Sequence, residues 1–235
     1  MNKKIYIDFL EYLVAQRMFS TSQLSQDLFV SYFTELKKDG FFVEFGATDG
    51  ITFSNTFIFE KYCNWNGILA EPLSTWHDNL FKNRKCIIDK RCVFSKSNLK
   101  KNFVNTYEMP ELSGLENELH IADFNAEARK KKEIVTVDTV TLEDLLKEHK
   151  APEKIDYLSI DTEGSEYLIL ENFNFKLYEI SIITIEHNFI DDLRNKIKSL
   201  LEKNNFVRVF EKISRMDDWY VNKNNPVLKK LQLKD

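Results

Sequence analysis

The chain has 235 residues and a formal net charge of −4, with 33 basic and 37 acidic side chains intermixed along it. This balance creates no broad basic field, so nucleic acid is excluded as an expected substrate. The length is enough for one substantial hydrophobic core, and the three cysteines are odd in number and lack metal-ligand spacing, so we expect buried thiols without a disulfide framework.

Apolar side chains recur at helical spacing in the first 40 residues. Ile5 and Phe9 form one such pair, and Leu28 and Tyr32 form another further along. The spacing predicts two amphipathic helices over residues 1–40, which would form a cap that precedes the sheet.

A strand followed by a glycine turn begins at residue 41. Residues 41–50 read Phe-Phe-Val-Glu-Phe-Gly-Ala-Thr-Asp-Gly, and Ser-Asn-Thr follows at residues 54–56. The first five residues are typical of a buried strand. Gly46 and Gly50 allow positive φ angles and the close approach of a ligand. The pattern predicts a nucleotide-type loop that leads into a helix.

Two carboxylates flank this loop, Glu44 before it and Asp49 within it. Fixed negative charge is unfavourable beside phosphates, whereas it suits a cationic group such as an amine or a sulfonium. The dinucleotide pattern G-x-G-x-x-G is also absent. The loop therefore favours S-adenosylmethionine (SAM) over NAD.

The second strand, residues 67–70, ends in Glu71 and Pro72. This acid lies about 20 residues after the loop, where a carboxylate meets the ribose hydroxyls of a nucleotide in a βαβ unit. The spacing by itself fits either NAD or SAM.

Helices and strands then alternate. Residues 56–62 and 74–81 have helical spacing, and residues 86–94 have the composition of a third strand. The alternation predicts an open, mainly parallel sheet with helices on both faces and a ligand at the carboxyl ends of the strands.

Residues 95–130 interrupt this alternation with a polar stretch and then a charged helical segment. We expect this insertion to pass over the active site. The run of lysines at residues 130–132 is typical of a solvated face, and the alternative is attraction of a phosphate-bearing substrate such as a nucleotide sugar. Strand composition resumes at residues 134–137.

Two later strands, residues 155–160 and 180–185, each end in polar side chains. Those side chains are Asp161, Glu163 and Glu166 after the first strand, and Glu186, His187 and Asn188 after the second. Because the carboxyl ends of parallel strands meet at one edge of a sheet, we expect both groups to face one crevice. Of the three acids after the first strand, Glu166 is expected to complement the N-terminus of the next helix.

The end of the chain predicts an antiparallel strand pair over residues 206–213 and 219–222. A Lys-rich tail over residues 224–235 is expected to fray. The predicted organisation is a helical cap over residues 1–40, a main domain over residues 41–223 that carries the insertion, and this tail.

Taken together, these motifs resemble the FkbM family of SAM-dependent methyltransferases over roughly residues 22–222. The matching segments, in order, are residues 42–51, Ser-Asn-Thr at 54–56, Ala-Glu-Pro at 70–72 and Ile-Asp-Tyr-Leu-Ser-Ile-Asp-Thr-Glu-Gly-Ser-Glu at 155–166. The resemblance implies an α/β, Rossmann-like class I methyltransferase fold. Its sheet would be mainly parallel and seven-stranded, with helices on both faces and a C-terminal antiparallel strand pair.

The resemblance also implies a function. FkbM proteins usually methylate a hydroxyl of a sugar or of a sugar-containing metabolite, so the expected partner is a small-molecule or saccharide acceptor. The expected setting is the biosynthesis of a bacterial surface polysaccharide, capsule or lipopolysaccharide. Ser-Gly-Leu at residues 113–115 resembles a family feature near the substrate, although a surface turn explains it equally well.

The expected site residues follow from these motifs. The residues expected to bind SAM are Gln26, Glu44, Gly46, Ala47, Asp49, Gly50, Ser54, Asn55, Glu71, Pro72 and Asp161. His187 is the expected general base because its unperturbed pKa is suitable. Asp161 and Glu163 are expected to orient the acceptor or to act as the base. If Mg²⁺ takes part, Asp161, Glu186 and His187 are its expected ligands.

Two other function classes stay open. An NAD-dependent oxidoreductase is disfavoured by the missing third glycine, and a non-catalytic SAM-binding module is disfavoured by the intact acidic and glycine positions. Asp8 and Glu11 interrupt the first apolar stretch, which is wrong for a signal peptide. No run approaches the ~18 apolar residues of a membrane span. We therefore expect a cytoplasmic protein.

Overall fold

The computed structural model describes residues 3–119, 127 and 130–232. Its helices are α1 (Lys3–Gln16), α2 (Gln26–Thr34), α3 (Phe57–Cys63), α4 (Ser74–Asn83), α5 (Leu142–Glu148), α6 (Glu166–Glu171), α7 (Asp191–Lys203) and α8 (Pro226–Gln232). Its strands are β1 (Phe41–Phe45), β2 (Asn66–Ala70), β3 (Ile87–Asp89), β4 (Cys92–Val93), β5 (Lys100–Thr106), β6 (Gly114–Leu115), β7 (Lys132–Val140), β8 (Lys154–Ile160), β9 (Glu179–Glu186), β10 (Phe206–Val209) and β11 (Asp217–Asn222).

The main sheet has seven strands in the order β10-β11-β9-β8-β1-β2-β3. The central pairs β9-β8, β8-β1, β1-β2 and β2-β3 are parallel. Strand β11 runs antiparallel to both β9 and β10. The expected seven strands and C-terminal antiparallel pair are therefore present, and the sheet as a whole is mixed.

Apolar side chains bury both faces of this sheet. Strand β1 is buried over Phe42–Phe45, as expected for a parallel strand covered by helices on both sides. The two predicted N-terminal helices occur as α1 and α2, and they pack against one face of the main sheet near β11. There Phe9 stacks on Phe210 with ring centroids 4.1 Å apart, and Phe29 stacks on Trp219 at 4.7 Å.

The prediction of one strand over residues 86–94 was wrong. The chain forms β3 in the main sheet and then turns, and β4 pairs with β7 in a second sheet. Asp89 fixes this turn because its carboxylate accepts hydrogen bonds from the backbone and guanidinium of Arg91 and contacts His149 Nε2 at 2.8 Å.

The insertion contributes β5 and β6 to the second sheet, whose order is β4-β7-β5-β6. Strands β5 and β7 pair antiparallel over seven residues, from Lys100 opposite Asp138 to Thr106 opposite Lys132. Residues 120–126 and 128–129 of the predicted insertion lie outside the described residues. The strand predicted over residues 134–137 belongs to β7, so it is part of this sheet and not of the main one.

The C-terminal tail contains helix α8. Asn225 caps it, since its Oδ1 accepts hydrogen bonds from the backbone N–H groups of Val227 and Leu228 at 2.9 and 3.1 Å. Both of these apolar side chains are buried. The expectation that the tail frays was therefore wrong for its described part, and residues 233–235 lie outside that part. Within the described chain, every helix is too short or too polar to cross a membrane.

Candidate active site

A cavity of about 310 Å³ opens at the carboxyl ends of β1, β2, β8 and β9. This is where a mainly parallel α/β sheet is expected to bind its ligand. The main sheet provides one wall, with Gly46, Glu71 and Asp161 among its residues. Phe103 and the segment 109–113, which flanks the second sheet, provide the opposite wall.

Gly46 begins the turn after β1 and is required there for two reasons. Its φ angle is +74°, in the left-handed region that favours glycine. A Cβ at this position would lie 2.2 Å from the carbonyl oxygen of Asp161. The loop and the end of β8 can approach this closely only because residue 46 has no side chain.

Glu71 lies at the cavity with a buried carboxylate. Its Oε2 accepts a hydrogen bond from the backbone N–H of Thr48 at 3.0 Å, and its Oε1 accepts one from Leu73 at 2.9 Å. Burial raises the pKa of this carboxyl to about 7. Because each oxygen has two lone pairs, Glu71 can still accept hydrogen bonds from ribose hydroxyls.

Glu44 also lines the cavity, but its carboxylate mainly holds the loop together. It accepts hydrogen bonds from Ser54 Oγ at 3.0 Å, from the backbone N–H of Asn55 at 2.6 Å and from Thr56 Oγ1 at 2.5 Å. Burial raises its pKa, while Arg84 opposes that rise. The expected contact of Glu44 with a cationic ligand would compete with these bonds.

Asn55 offers an acceptor at the cavity. Its Nδ2 donates a hydrogen bond to Ser159 Oγ at 2.9 Å. Its Oδ1 is buried and has no hydrogen-bond partner among the described residues. Because an unsatisfied buried acceptor is unfavourable, this atom is a candidate partner for a ligand N–H or O–H group.

Several expected cofactor residues do not reach the cavity wall. Asp49 closes the turn, since its Oδ1 accepts hydrogen bonds from the backbone N–H groups of Ile51 and Thr52 at 2.8 and 2.7 Å. Gln26 donates from Nε2 to Asp217 Oδ2 at 2.8 Å. The other expected residues that do not line the cavity are Ala47, Gly50 and Ser54, whereas Pro72 does line it.

Three carboxyl groups meet at the carboxyl ends of β8 and β9, on the wall that the main sheet provides. Asp161 and Glu163 follow β8, Glu186 ends β9, and one oxygen from each lies within 4.8 Å of the others. Asn188 Nδ2 donates to Glu186 Oε2 at 2.7 Å and lies 3.4 Å from Glu163 Oε2. We call Asp161, Glu163 and Glu186 the carboxyl cluster.

Burial governs the protonation of this cluster. It raises the pKa of Asp161 to about 6, against the lowering effect of a hydrogen bond with Glu186. Burial, followed by the nearby charges of Asp161 and Glu163, raises the pKa of Glu186 well above its usual value. The nearby Glu166 is used differently, because its Oε1 accepts hydrogen bonds from the backbone N–H groups of Thr162 and Gly164 and so orders the turn before α6.

His187 does not face the crevice as expected. Glu186 and Asn188, on either side of it in sequence, line the cavity and His187 does not. Its buried ring accepts a hydrogen bond at Nδ1 from the backbone N–H of Phe189 at 3.0 Å, and its Nε2 lies 3.8 Å from Asp218 Oδ1. Successive side chains of an extended chain point to opposite sides, so Glu186 and His187 cannot both enter the cavity. In the carboxyl cluster, Glu163 takes the place expected for His187.

Sequence reasoning missed Thr48, Trp76, Phe103 and Met109, all of which line the cavity. It also missed Arg84, whose buried side chain donates hydrogen bonds to Gly50 and Ser54 of the loop and does not line the cavity. Thr48 lies within the motif at residues 42–51 but was not singled out as a site residue, and the others belong to no recognisable motif. Ser113, noted in the sequence, does line the cavity.

Comparison with known proteins gave three kinds of finding. No curated protein matched the sequence. Among solved structures, a precorrin-6y C5,15-methyltransferase from Geobacter metallireducens is 12% identical with a TM-score of 0.42, covering 80% of this chain and 75% of that one. TrmK from M. capricolum, solved with S-adenosylhomocysteine (SAH), is 13% identical with a TM-score of 0.38, covering 83% and 68%. The sequence model described as the methyltransferase FkbM domain matches residues 44–211. The chain therefore belongs to the FkbM family of methyltransferases.

Proposed function

We propose that this protein transfers a methyl group from SAM to a hydroxyl of a sugar or a sugar-containing metabolite. The observation that carries the proposal is the arrangement of one cavity. Gly46 and Glu71 lie at the ends of β1 and β2, the part of the cavity expected for the cofactor, and the carboxyl cluster lies at the ends of β8 and β9, next to the space available to an acceptor.

The cofactor side fits SAM in the chemistry of its polar groups. Glu71 can accept hydrogen bonds from ribose hydroxyls, and Asn55 Oδ1 can accept one from an amino group. SAM, when bound, supplies the methyl group as an electrophilic carbon on a sulfonium. The chain's part is to align the acceptor oxygen with that carbon and to exclude competing water.

The carboxyl cluster fits the needs of the acceptor. A sugar hydroxyl is protonated at neutral pH, so transfer to its oxygen is helped by a base that takes the proton as the new bond forms. With a pKa of about 6, Asp161 is mostly ionised at pH 7.5. Its pKa is also close enough to this pH for the carboxylate to serve as the base. We assign proton acceptance to Asp161 and acceptor orientation to Glu163, in place of His187.

The donor set of the cluster also fits Mg²⁺, which prefers oxygen ligands and retains several waters. Asp161, Glu163 and Glu186 would hold the ion. Its positive charge would offset the repulsion among the three carboxylates and stabilise an ionised acceptor oxygen.

We extend the proposal to bacterial surface saccharides as the acceptors, because these are the compounds that the family resemblance favours. Strand β5 and the segment that follows it bring Phe103 and Met109 to the cavity as apolar side chains against which a sugar ring can pack. Placement of the gene among capsule or lipopolysaccharide genes would support this extension.

The first experiment is thermal unfolding with SAM, SAH and NAD. A ligand at ~100 times its Kd stabilises the native state by ~2.7 kcal/mol. For a chain of this size that corresponds to a rise of roughly 5 to 11 °C in Tm. We expect the rise with SAM and SAH and none with NAD. A rise with NAD alone would instead support the oxidoreductase.

The second experiment is an acceptor screen that measures SAH formation, with and without Mg²⁺. Turnover of saccharide hydroxyls supports the proposal. If only amines or carbon acceptors are methylated while SAM still binds, the family assignment stands and the proposal of O-methylation is wrong.

A further inference from the structure

Arg84 is a buried cation that lies directly after α4. Its side chain has no exposed surface. Burying a guanidinium is costly unless its donors are satisfied and its charge is balanced, so the contacts of Arg84 indicate what it is for.

Every donor of this side chain that makes a hydrogen bond is directed at the segment between β1 and α3 or at α3 itself. Nη1 donates to the carbonyl oxygen of Gly50 and to Ser54 Oγ, both at 3.1 Å. Nη2 donates to Thr56 Oγ1 at 2.9 Å, and Nε donates to Glu60 Oε2 at 2.7 Å.

The end of β1 completes this arrangement. Glu44 Oε2 lies 3.7 Å from Arg84 Nη1, and the same carboxylate accepts hydrogen bonds from residues 54–56. The ring of Phe42 lies 5.3 Å from the guanidinium carbon. A Cβ at Gly50 would meet the Arg84 side chain at 2.6 Å, so the loop is packed directly onto it.

These partners belong to the loop that carries Gly46, Thr48 and Asn55 into the cavity. We propose that Arg84 is a positioning residue for cofactor binding, which acts through Glu44 and residues 50–56 and touches no ligand itself. The proposal rests on the proposed function only in identifying the ligand of this loop as SAM. A preformed loop binds its ligand more tightly because the free-energy cost of ordering the loop does not arise on binding.

Lysine would not replace Arg84 fully. A guanidinium presents its donors in a fixed planar fork, whereas an ammonium is a compact point charge. Lysine could keep the charge opposite Glu44 and Glu60 and could not reach Gly50, Ser54 and Thr56 together. An Arg84→Lys variant should therefore fall between the wild type and Arg84→Met.

The test measures SAH affinity by calorimetry and amide hydrogen exchange over residues 46–56 without ligand. For Arg84→Met we expect at least about a tenfold weaker Kd and faster exchange in the loop, with Arg84→Lys intermediate. Arg194→Met is the matched control, since Arg194 pairs with buried Asp218 at 2.7 Å and does not line the cavity. It should lose stability and keep the SAH Kd within about twofold.

The outcomes separate this inference from the proposed function. If the wild type does not bind SAH or SAM, the proposed cofactor is wrong, while loop exchange still reports whether Arg84 holds residues 46–56. If the Arg84 variants show wild-type exchange in the loop, or bind SAH within about twofold of the wild type, the positioning role is wrong. Should Arg84→Met fail to fold, Glu60→Gln is the alternative, because it weakens the Arg84–Glu60 ion pair with a smaller perturbation. It should also show weaker SAH binding and faster exchange in the loop.

Discussion

Gln26 Nε2 donates a 2.8 Å hydrogen bond to Asp217 Oδ2, joining two residues that are 191 positions apart. The bond connects the first turn of α2 to β11, and Asp217 is paired in register with Glu186 of the carboxyl cluster. Gln26, expected to contact the cofactor, instead bonds β11, the strand that pairs with β9 next to Glu186.

The first prediction concerns Asp217 and pH. Burial, followed by the charge of Asp161, raises the pKa of Asp217 to about 8. A carboxyl whose pKa is higher in the folded state binds more protons there, so its contribution to stability falls as pH rises from about 4 to about 8. Asp217→Asn keeps an acceptor for Gln26 and removes the titration. We expect its free energy of unfolding to decline less between pH 5 and pH 8 than that of the wild type.

Urea unfolding at several pH values measures this difference. Asp138→Asn is the control, because Asp138 is an exposed carboxyl paired with Lys100. Parallel pH profiles for wild type and Asp217→Asn would show that Asp217 does not titrate in this range.

The second prediction concerns the backbone at Gly46. Gly46→Ala places a methyl group against the carbonyl of Asp161 and forces an unfavourable positive φ angle. We expect a loss of about 1–3 kcal/mol in stability and a clear loss of SAH affinity. Gly114→Ala is the matched comparison in β6, where the new methyl would first meet the flexible Leu119 side chain at 2.8 Å. An SAH Kd unchanged by Gly46→Ala would remove this loop from the cofactor site.

The third prediction separates the carboxyl cluster from His187. Asp161→Asn and Glu163→Gln should lower kcat by roughly 10² to 10⁴ while SAH still binds. His187→Gln should change kcat little, because the His187 ring lies outside the cavity. Single-turnover rates and SAH titrations measure the two effects. A larger loss of kcat in His187→Gln than in Asp161→Asn would return the role of base to the histidine.

The fourth prediction concerns a divalent ion. If the cluster holds Mg²⁺, chelation should abolish turnover, added Mg²⁺ should restore it, and Mn²⁺ should bind with a signal visible by electron paramagnetic resonance. Glu186→Gln should weaken Mn²⁺ binding, and Asp138→Asn should not. Full activity in the presence of a chelator would show that the cluster works without a metal ion, with its carboxylates serving only to orient the acceptor and to take its proton.

Much of the main sheet could be predicted from the sequence because its central strands are apolar runs that end in glycine or acids. The position of Glu71 at the cavity followed from its spacing after the loop. The second sheet could not be predicted in this way. Strand β5 begins Lys-Lys-Asn, which does not indicate a strand. Residues 86–94 contain Asp-Lys-Arg at 89–91, but this local pattern does not show that Asp89 makes a turn with Arg91 and the distant His149.

Side-chain direction at the strand ends was the other limit. Glu186 and His187 are adjacent, and the sequence does not say which of them turns inward until the last paired residue of β9 is known. Arg84 was missed for a related reason. Its partners at Gly50, Ser54 and Thr56 lie 28 to 34 positions away, and nothing local to α4 indicates them.

The backbone of β6 packs against Glu163 of the carboxyl cluster, since a Cβ at Gly114 would lie 3.2 Å from the Glu163 Cβ. The carboxyl cluster lies at the strand ends of the seven-stranded sheet, and much of the remaining cavity lining belongs to the insertion. Under the proposed function, we expect changes in residues 100–115 to alter the choice of acceptor while Gly46 and Glu71 keep their contacts.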